Sequence, residues 1–202
     1  GISPYGATHL QTNQAIVIFD LGSASATNHR GPKIENLSFR DSSAGMNTAL
    51  GAILIRRMNR VRIRDCGFTD FTTGYGIKFD GTGDACVEPM LEGLRTRNCA
   101  KGVTYAGTAT ALTMLGGSMV GLSPGVGIGL QWADSASIWG TAFDAWAVAV
   151  ELTGAGHRIS ARFENNTNHI HLLSACRRSI ITGCFFSGGG ANGAILIDDP
   201  AS

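Results

Sequence analysis

Residues 150–172 read VELTGAGHRISARFENNTNHIHL and contain one complete unit of a repeat. A short apolar strand, Val150-Glu151-Leu152, leads into a stretch of Thr, Gly and Ala. A second strand, ISARF (159–163), ends on Phe163, polar residues follow, and a strand of the first kind reopens at Ile170-His171-Leu172. The opening strand recurs as Ile53-Leu54-Ile55, Ile77-Lys78-Phe79, Val103-Thr104-Tyr105, Ile128-Gly129-Leu130 and Ile195-Leu196-Ile197, at intervals of roughly 20 to 26 residues. That period marks solenoids. The companion strands are IENLSF (34–39), IRDCGF (63–68), LRTRNC (94–99), MLGGSM (114–119), IWGTAF (138–143) and ITGCFF (181–186). Residues that turn a chain lie between them.

A strand with alternating apolar positions buries one face, and a unit this short cannot bury that face alone. Successive units must stack, so the expected fold is an all-β parallel solenoid of about seven coils. Its period and pattern, from about Ala15 to Ile197, resemble the right-handed parallel β-helix of the pectin lyase-like superfamily. The right hand is implied by that resemblance, in keeping with the chirality of parallel crossovers. Residues 1–14 are expected to be a lead-in or a truncated preceding coil, and 15–202 a single β-helix domain. No amphipathic capping helix is visible before Ala15 or after Ile197. Bare strand edges need cover, so the expectation is a domain of something longer or a subunit with partners over its ends.

The 202 residues are 44% hydrophobic, enough to fill one core. The formal charge of +1 predicts no nucleic-acid binding. No apolar run approaches the roughly 20 residues of a membrane span. Five cysteines, Cys66, Cys86, Cys99, Cys176 and Cys184, form no C-x-x-C pair and no zinc spacing. They read as small apolar residues of a reduced interior, with Cys99 replacing the terminal Phe of its strand. Such an interior suits assembly in the cytoplasm, even for a protein that acts outside a cell. No metal or cofactor is implied.

Stacking at about 4.8 Å per coil turns sequence spacing into columns. Outward on the first strands are expected Lys78, Thr104, Gly129, Glu151, His171 and Leu196, with Asp80, Gln131, Thr153, Leu173 and Asp198 two positions on. Glu151 and His171 then touch, either as a surface ion pair or as a general acid/base pair. On the second strands, Glu35, Arg64 and Arg95 are expected in one column, followed by Leu115 and Trp139. The like-charged Arg64 and Arg95 would need an anion: a local acid such as Asp65 or Glu92, or an acidic sugar or phosphate. Asp144 follows Phe143 and Glu164 follows Phe163, which predicts two stacked carboxylates at about the separation of a glycosidase pair. The same residues read also as solvated turn acids, and Asp41 and Asp70 make a second stacked acidic pair lower down, with the same two readings. Trp132, Trp139 and Trp146 crowd into the coil that carries Asp134 and Asp144. An outward indole suits stacking on a sugar ring, while Trp146 fits sugar binding or a place in the core.

The pectin-degrading hydrolases of the superfamily carry an Asp pair before G-H-G and a later R-I-K. Here Gly156-His157-Arg158 matches two of three residues and Asp198-Asp199 comes after it, so no catalytic motif transfers. Within the superfamily the chain resembles phage tailspikes and tail-associated polysaccharide depolymerases. RGPKIENLSFRD (30–41) is similar to the way such helices enter their regular coils. The resemblance implies a homotrimer on a virion tail that meets a bacterial capsule or O-antigen. The expected site comprises Asp144 and Glu164 as acid and base or nucleophile. Trp139, Trp146, Asp134, Arg64 and Arg95 are the expected sugar contacts. Glu151 with His171 is the place for a lyase or epimerase. A non-catalytic glycan-binding or structural appendage is the alternative.

Overall fold

The computed structural model describes residues 8–12, 17–22, 29–41, 50–123, 125–189 and 193–198. The proposed lead-in therefore lies largely outside the described residues, apart from a strand Thr8–Thr12 that pairs with Leu37–Asp41. Among the described residues every element is a strand or a turn, and every strand pairing is parallel. The chain winds as a β-solenoid of about six turns, close to the count read from the repeat.

One wall is an eight-stranded sheet stacked in chain order. It runs through Val17–Gly22, Gly51–Arg56, Tyr75–Val87, Lys101–Thr110, Ile128–Trp132, Val148–Leu152, Asn168–Leu172 and Ile195–Ile197. A thirteen-stranded sheet forms the remaining walls as two arms. One arm holds strands such as Arg62–Arg64 and Met90–Glu92, and the other holds Gly67–Thr69 and Arg95–Cys99. The arms merge because Ser137–Asp144 and Arg158–Asn166 each run unbroken through the corner between them.

The corners explain why IENLSF and IRDCGF are not single strands. A residue with left-handed backbone divides each of them: Asn36 at φ 56° and Asp65 at φ 51°, succeeded on the next coils by Gly93 and Gly116. Left-handed backbone costs about 1 kcal/mol in an ordinary residue and least in Asn, Asp and Gly. No hydrogen bond is lost at the bend. The Asp65 N–H donates to Glu92 O at 2.9 Å and the Gly93 N–H to Leu115 O at 2.9 Å. A second corner behaves likewise, with the N–H groups of Arg60, Glu88 and Ala111, all at positive φ, bonded to the following coil.

Inward residues pile up like on like. Ile53, Ile77, Val103, Leu130, Val150 and Ile170 form one buried column. Ile34, Ile63, Leu91, Met114, Ile138 and Ile159 form another. A third holds Phe39 over Phe68, with rings 5.3 Å apart, and Phe143, Phe163 and Phe186, with successive separations of 5.5 and 5.2 Å. Between these groups the column is filled by Thr96 and Met119. Thr96, not Cys99, therefore takes the place of Phe68 in its coil. The expected alignment of LRTRNC is displaced by three residues, and the repeat runs MLEGLRT from Met90.

Phe163 is fully buried between two parallel rings. Phe163→Ala is expected to cost about 3–5 kcal/mol, measured as a lowered urea midpoint. A loss below about 1 kcal/mol would contradict a close-packed aromatic column.

Candidate functional site

The outer face of the arm that carries Arg95–Cys99 brings together most of the chemistry. Asp144 is the Cα partner of Glu164, as its place after Phe143 predicts. Parallel strands lie about 4.8 Å apart, so the two half-buried carboxylates are neighbours on one face. Each has one oxygen engaged by an adjacent side chain. Asn165 Nδ2 donates to Asp144 Oδ1 at 3.0 Å, and the Arg162 guanidinium donates to Glu164 Oε1. Arg162 also lies over the Phe185 ring, 5.7 Å from its centre.

Arg95 belongs to this face and not to the Arg64 column. Its partners are Gly67 below and Ser118 above, whereas Arg64 sits between Glu35 and Glu92. The expected like-charge contact is thus replaced by alternation of acid, base and acid. The three-residue displacement at Thr96 is the cause. Arg64 Nε lies 2.9 Å from a Glu35 oxygen and 3.6 Å from Asp65, and Lys33 is 2.9 Å from Glu35. The Lys33 hydrogen bond, helped by the positive charges of Arg64 and Lys33 and opposed by burial, holds the Glu35 carboxyl below the usual range. Arg64 is thus held by acids of its own column and bend, away from Arg95.

A groove of about 500 Å³ is lined by Arg95, Arg97, Ser38, Gly67, Thr69 and Asp65. It continues past Ser38, Thr69 and Arg97 into a second hollow of about 420 Å³ that adds Arg40, Asp70 and Asn98. Arg97 and Arg40 were not singled out from the sequence. The signal was the i, i+2 pair Arg95 and Arg97 on one strand, which the displaced alignment concealed.

The first sheet carries a separate polar ladder. Thr104 Oγ1 donates to Gln131 Oε1 at 2.8 Å, and Gln131 Nε2 donates to Glu151 Oε1 at 2.7 Å. His171 lies between Glu151 Oε2, 3.5 Å from Nδ1, and Asp198 Oδ1, 2.8 Å from Nε2. The Glu151 and His171 contact is as expected, but the column differs in one member. Gln131, not Gly129, stands between Thr104 and Glu151. Gly129 faces inward, where an added Cβ would lie 3.0 Å from Phe143 Cδ1 and 2.5 Å from Ala149 O. Both His171 nitrogens face carboxylates. No ring nitrogen is left to face a substrate, so this arrangement clips three coils together.

The tryptophans separate. Trp132 and Trp146 are fully buried, which removes Trp146 from any sugar surface. The indole N–H of Trp146 donates to Met119 O at 2.9 Å and that of Trp132 to Asp134 O at 3.1 Å. Trp139 is 42% exposed, in the column of Leu115 and Ser160, across the Gly140 bend from Asp144. Asp134 accepts the Ala155 N–H at 2.6 Å and holds a turn away from this face. Asp41 is buried instead of solvated, and Asp70 is held by Arg40 and Asn98, each at 3.0 Å. Asp199 lies outside the described residues.

Other chemistry finds little footing among the described residues. No group of three or more His, Cys, Asp or Glu side chains is arranged to hold a metal, and no helix is long and apolar enough to cross a membrane. All five cysteines are free, and burial pushes the Cys99 thiol up to about 12. His157 and His169 are buried and structural. His157 Nδ1 accepts the Ala136 N–H at 3.1 Å and its other nitrogen donates to Thr153 O at 2.7 Å. His169 accepts from Asn166 at 3.1 Å and packs between Phe163 and Phe186. No protein-family model, curated protein or solved structure matches the chain.

Burial pushes both His157 and His169 below the ordinary imidazole value, against the backbone hydrogen bonds to Thr153 and Gly188. A depressed folded value means that the unfolded chain binds the proton more readily. Their contribution to stability is full above about pH 6.5 and is lost as pH falls from there through the folded values. In urea titrations at about pH 8 and about pH 5, His157→Gln should lose less stability on acidification than the parent. An identical loss in the two proteins would contradict a buried neutral His157.

Proposed function

We propose that this chain is a glycan-recognising β-solenoid that hydrolyses a bacterial surface polysaccharide, with Asp144 and Glu164 as the reacting pair. The observation that carries the reading is the stacking of these two carboxylates, in register, on an open polar face. Glycoside hydrolysis needs one carboxyl to protonate the leaving oxygen and a second to attack the anomeric carbon or to activate water. Neighbouring parallel strands supply two such groups at about the separation of a retaining pair. The Arg95 and Arg97 groove lies on the same face, N-terminal to the pair along the solenoid axis, where it can hold further sugar units. Exposed Trp139 offers a ring surface across the bend. In keeping with the resemblance to tailspike depolymerases, the setting proposed is a homotrimeric tail appendage of a virion, acting on capsule or O-antigen outside the cell.

One observation favours a second reading, in which the face binds glycan without cleaving it. Asp144 and Glu164 are already engaged by Asn165 and Arg162, as the acids of a merely solvated turn would be. A lyase or epimerase at Glu151 and His171 is less well supported, because both nitrogens of His171 face protein carboxylates.

The purified chain, incubated with a panel of capsular and O-antigen polysaccharides, is expected to release new reducing ends without the ultraviolet absorbance of unsaturated uronates. Asp144→Asn and Glu164→Gln should each lower turnover by about 10²–10⁴-fold while leaving the unfolding midpoint in place. Retention of a glycan with no new reducing ends would select the binding reading. Absorbance from unsaturated uronates would move the chemistry to Glu151 and His171.

A further inference from the structure

Resting on the reading above only in that the ligand is a polysaccharide, we infer that the groove beside Arg40, Arg95 and Arg97 selects chains that bear an anionic group, a carboxylate or a phosphate. Arg95 and Arg97 stand two positions apart on one strand, so they point to the same side about 7 Å apart. Arg40 occupies the Arg97 column two coils away, with Thr69 between them. The floor is cut low by small residues. A Cβ placed on Gly67 would have only Ser38 Oγ within reach, at 3.6 Å. At about 500 Å³ the groove has the capacity of a small-ligand site.

The charge balance points the same way. Asp70, at one end, is matched by the Arg40 ion pair at 3.0 Å and by the Asn98 amide. Asp65, also in the lining, is matched by Arg64 at 3.6 Å, on the far side of the bend. Arg97 is exposed and has no ion-pair partner among the described residues. A guanidinium that faces a polar groove is suited to two-point hydrogen bonding with a carboxylate or phosphate. Fixed acids in the lining, Asp65 and Asp70, disfavour a polymer charged at every unit, and the two hollows are lined by no aromatic side chain on which bases could stack. A sugar polymer with spaced charges and hydroxyl groups fits this pattern, and a nucleic acid does not.

The test is retention of the full chain on immobilised probes: hyaluronate, with one carboxylate per disaccharide, for the carboxylate class, a polysaccharide with one phosphodiester per oligosaccharide repeat for the phosphate class, and cellulose oligomers and dextran as neutral partners. A single-stranded oligonucleotide is the polyanion control. Expected are binding to one of the two acidic classes at least about tenfold tighter than to either neutral glycan, and weakening with added salt. Arg97→Gln should weaken acidic binding about tenfold, and Arg95→Gln in addition should bring it to the neutral level. The carboxylate and phosphate arms identify the source of the anion. Equal retention of neutral and acidic glycans, retention of neither acidic probe, unaltered acidic binding in the folded Arg97→Gln protein, or tightest binding to the oligonucleotide would each overturn the inference. Asp144→Asn with Glu164→Gln should still bind the acidic probe. Acidic binding without cleavage therefore defeats only the hydrolase reading, and cleavage of neutral glycans with no acidic preference defeats only this one.

Discussion

Among the described residues, each interior coil is hydrogen-bonded to the coils on both sides of it. Parallel ladders carry the N–H groups of one strand to the carbonyls of the next, and the left-handed corner residues continue the ladder where the chain bends. Unpaired backbone groups are costly when buried, so the stack admits little freedom of register. Once two coils are aligned at one position, each inward residue meets a counterpart from the next coil. That constraint creates the isoleucine columns and the stacked phenylalanines, and among the described residues it builds the core without a helix.

The same constraint governs the outside. Side chains that would be remote in sequence become neighbours about 4.8 Å apart, and the solenoid uses this to set opposite charges beside each other on adjacent coils. Arg56 sits between Asp20 and Asp80, Arg64 between Glu35 and Glu92, and His171 between Glu151 and Asp198. Exposed pairs of this kind contribute little stability each, but they oppose slippage, because a shift by one coil would set like charges together. The face that carries Asp144, Glu164, Arg95 and Arg97 departs from this habit. There two acids stack on one another and an arginine has no matching acid among the described residues. Departures from local consistency are where function is expected in an otherwise regular fold.

Much of the architecture was legible in the sequence because the repeat is written twice, in the apolar triplets and in the Phe-terminated second strands. Asp144 over Glu164 and Glu151 beside His171 followed from local patterns with equal spacing on both coils. The misplacements share one physical origin. A bulky terminal residue was used to align coils, but the core accepts Thr96 where its neighbours have Phe68 and Met119. Aligning on Cys99 moved Arg95 into the wrong column and hid Arg97. In the same way Ile128 looks like the start of its triplet, although Leu130-Gln131-Trp132 is the segment that pairs with Val150-Glu151-Leu152. Between the two readings of Trp146 the sequence could not choose, because the indole N–H is satisfied by a carbonyl of the preceding coil, at Met119, that only the fold brings near.

The register between adjacent coils is the central claim, and disulfide trapping tests it most directly. In a background with Cys176 and Cys184 replaced by Ser, one protein would carry Gln131→Cys with Glu151→Cys and another Gln131→Cys with Thr153→Cys. Partners in register have Cα atoms about 5 Å apart, inside the range a disulfide spans, whereas a displacement of two residues puts them about 8 Å apart and outside it. The account predicts a cross-link between positions 131 and 151 and none between 131 and 153. A cross-link only in the second protein would restore the alignment on Ile128 and dismantle the ladder from Thr104 to Asp198.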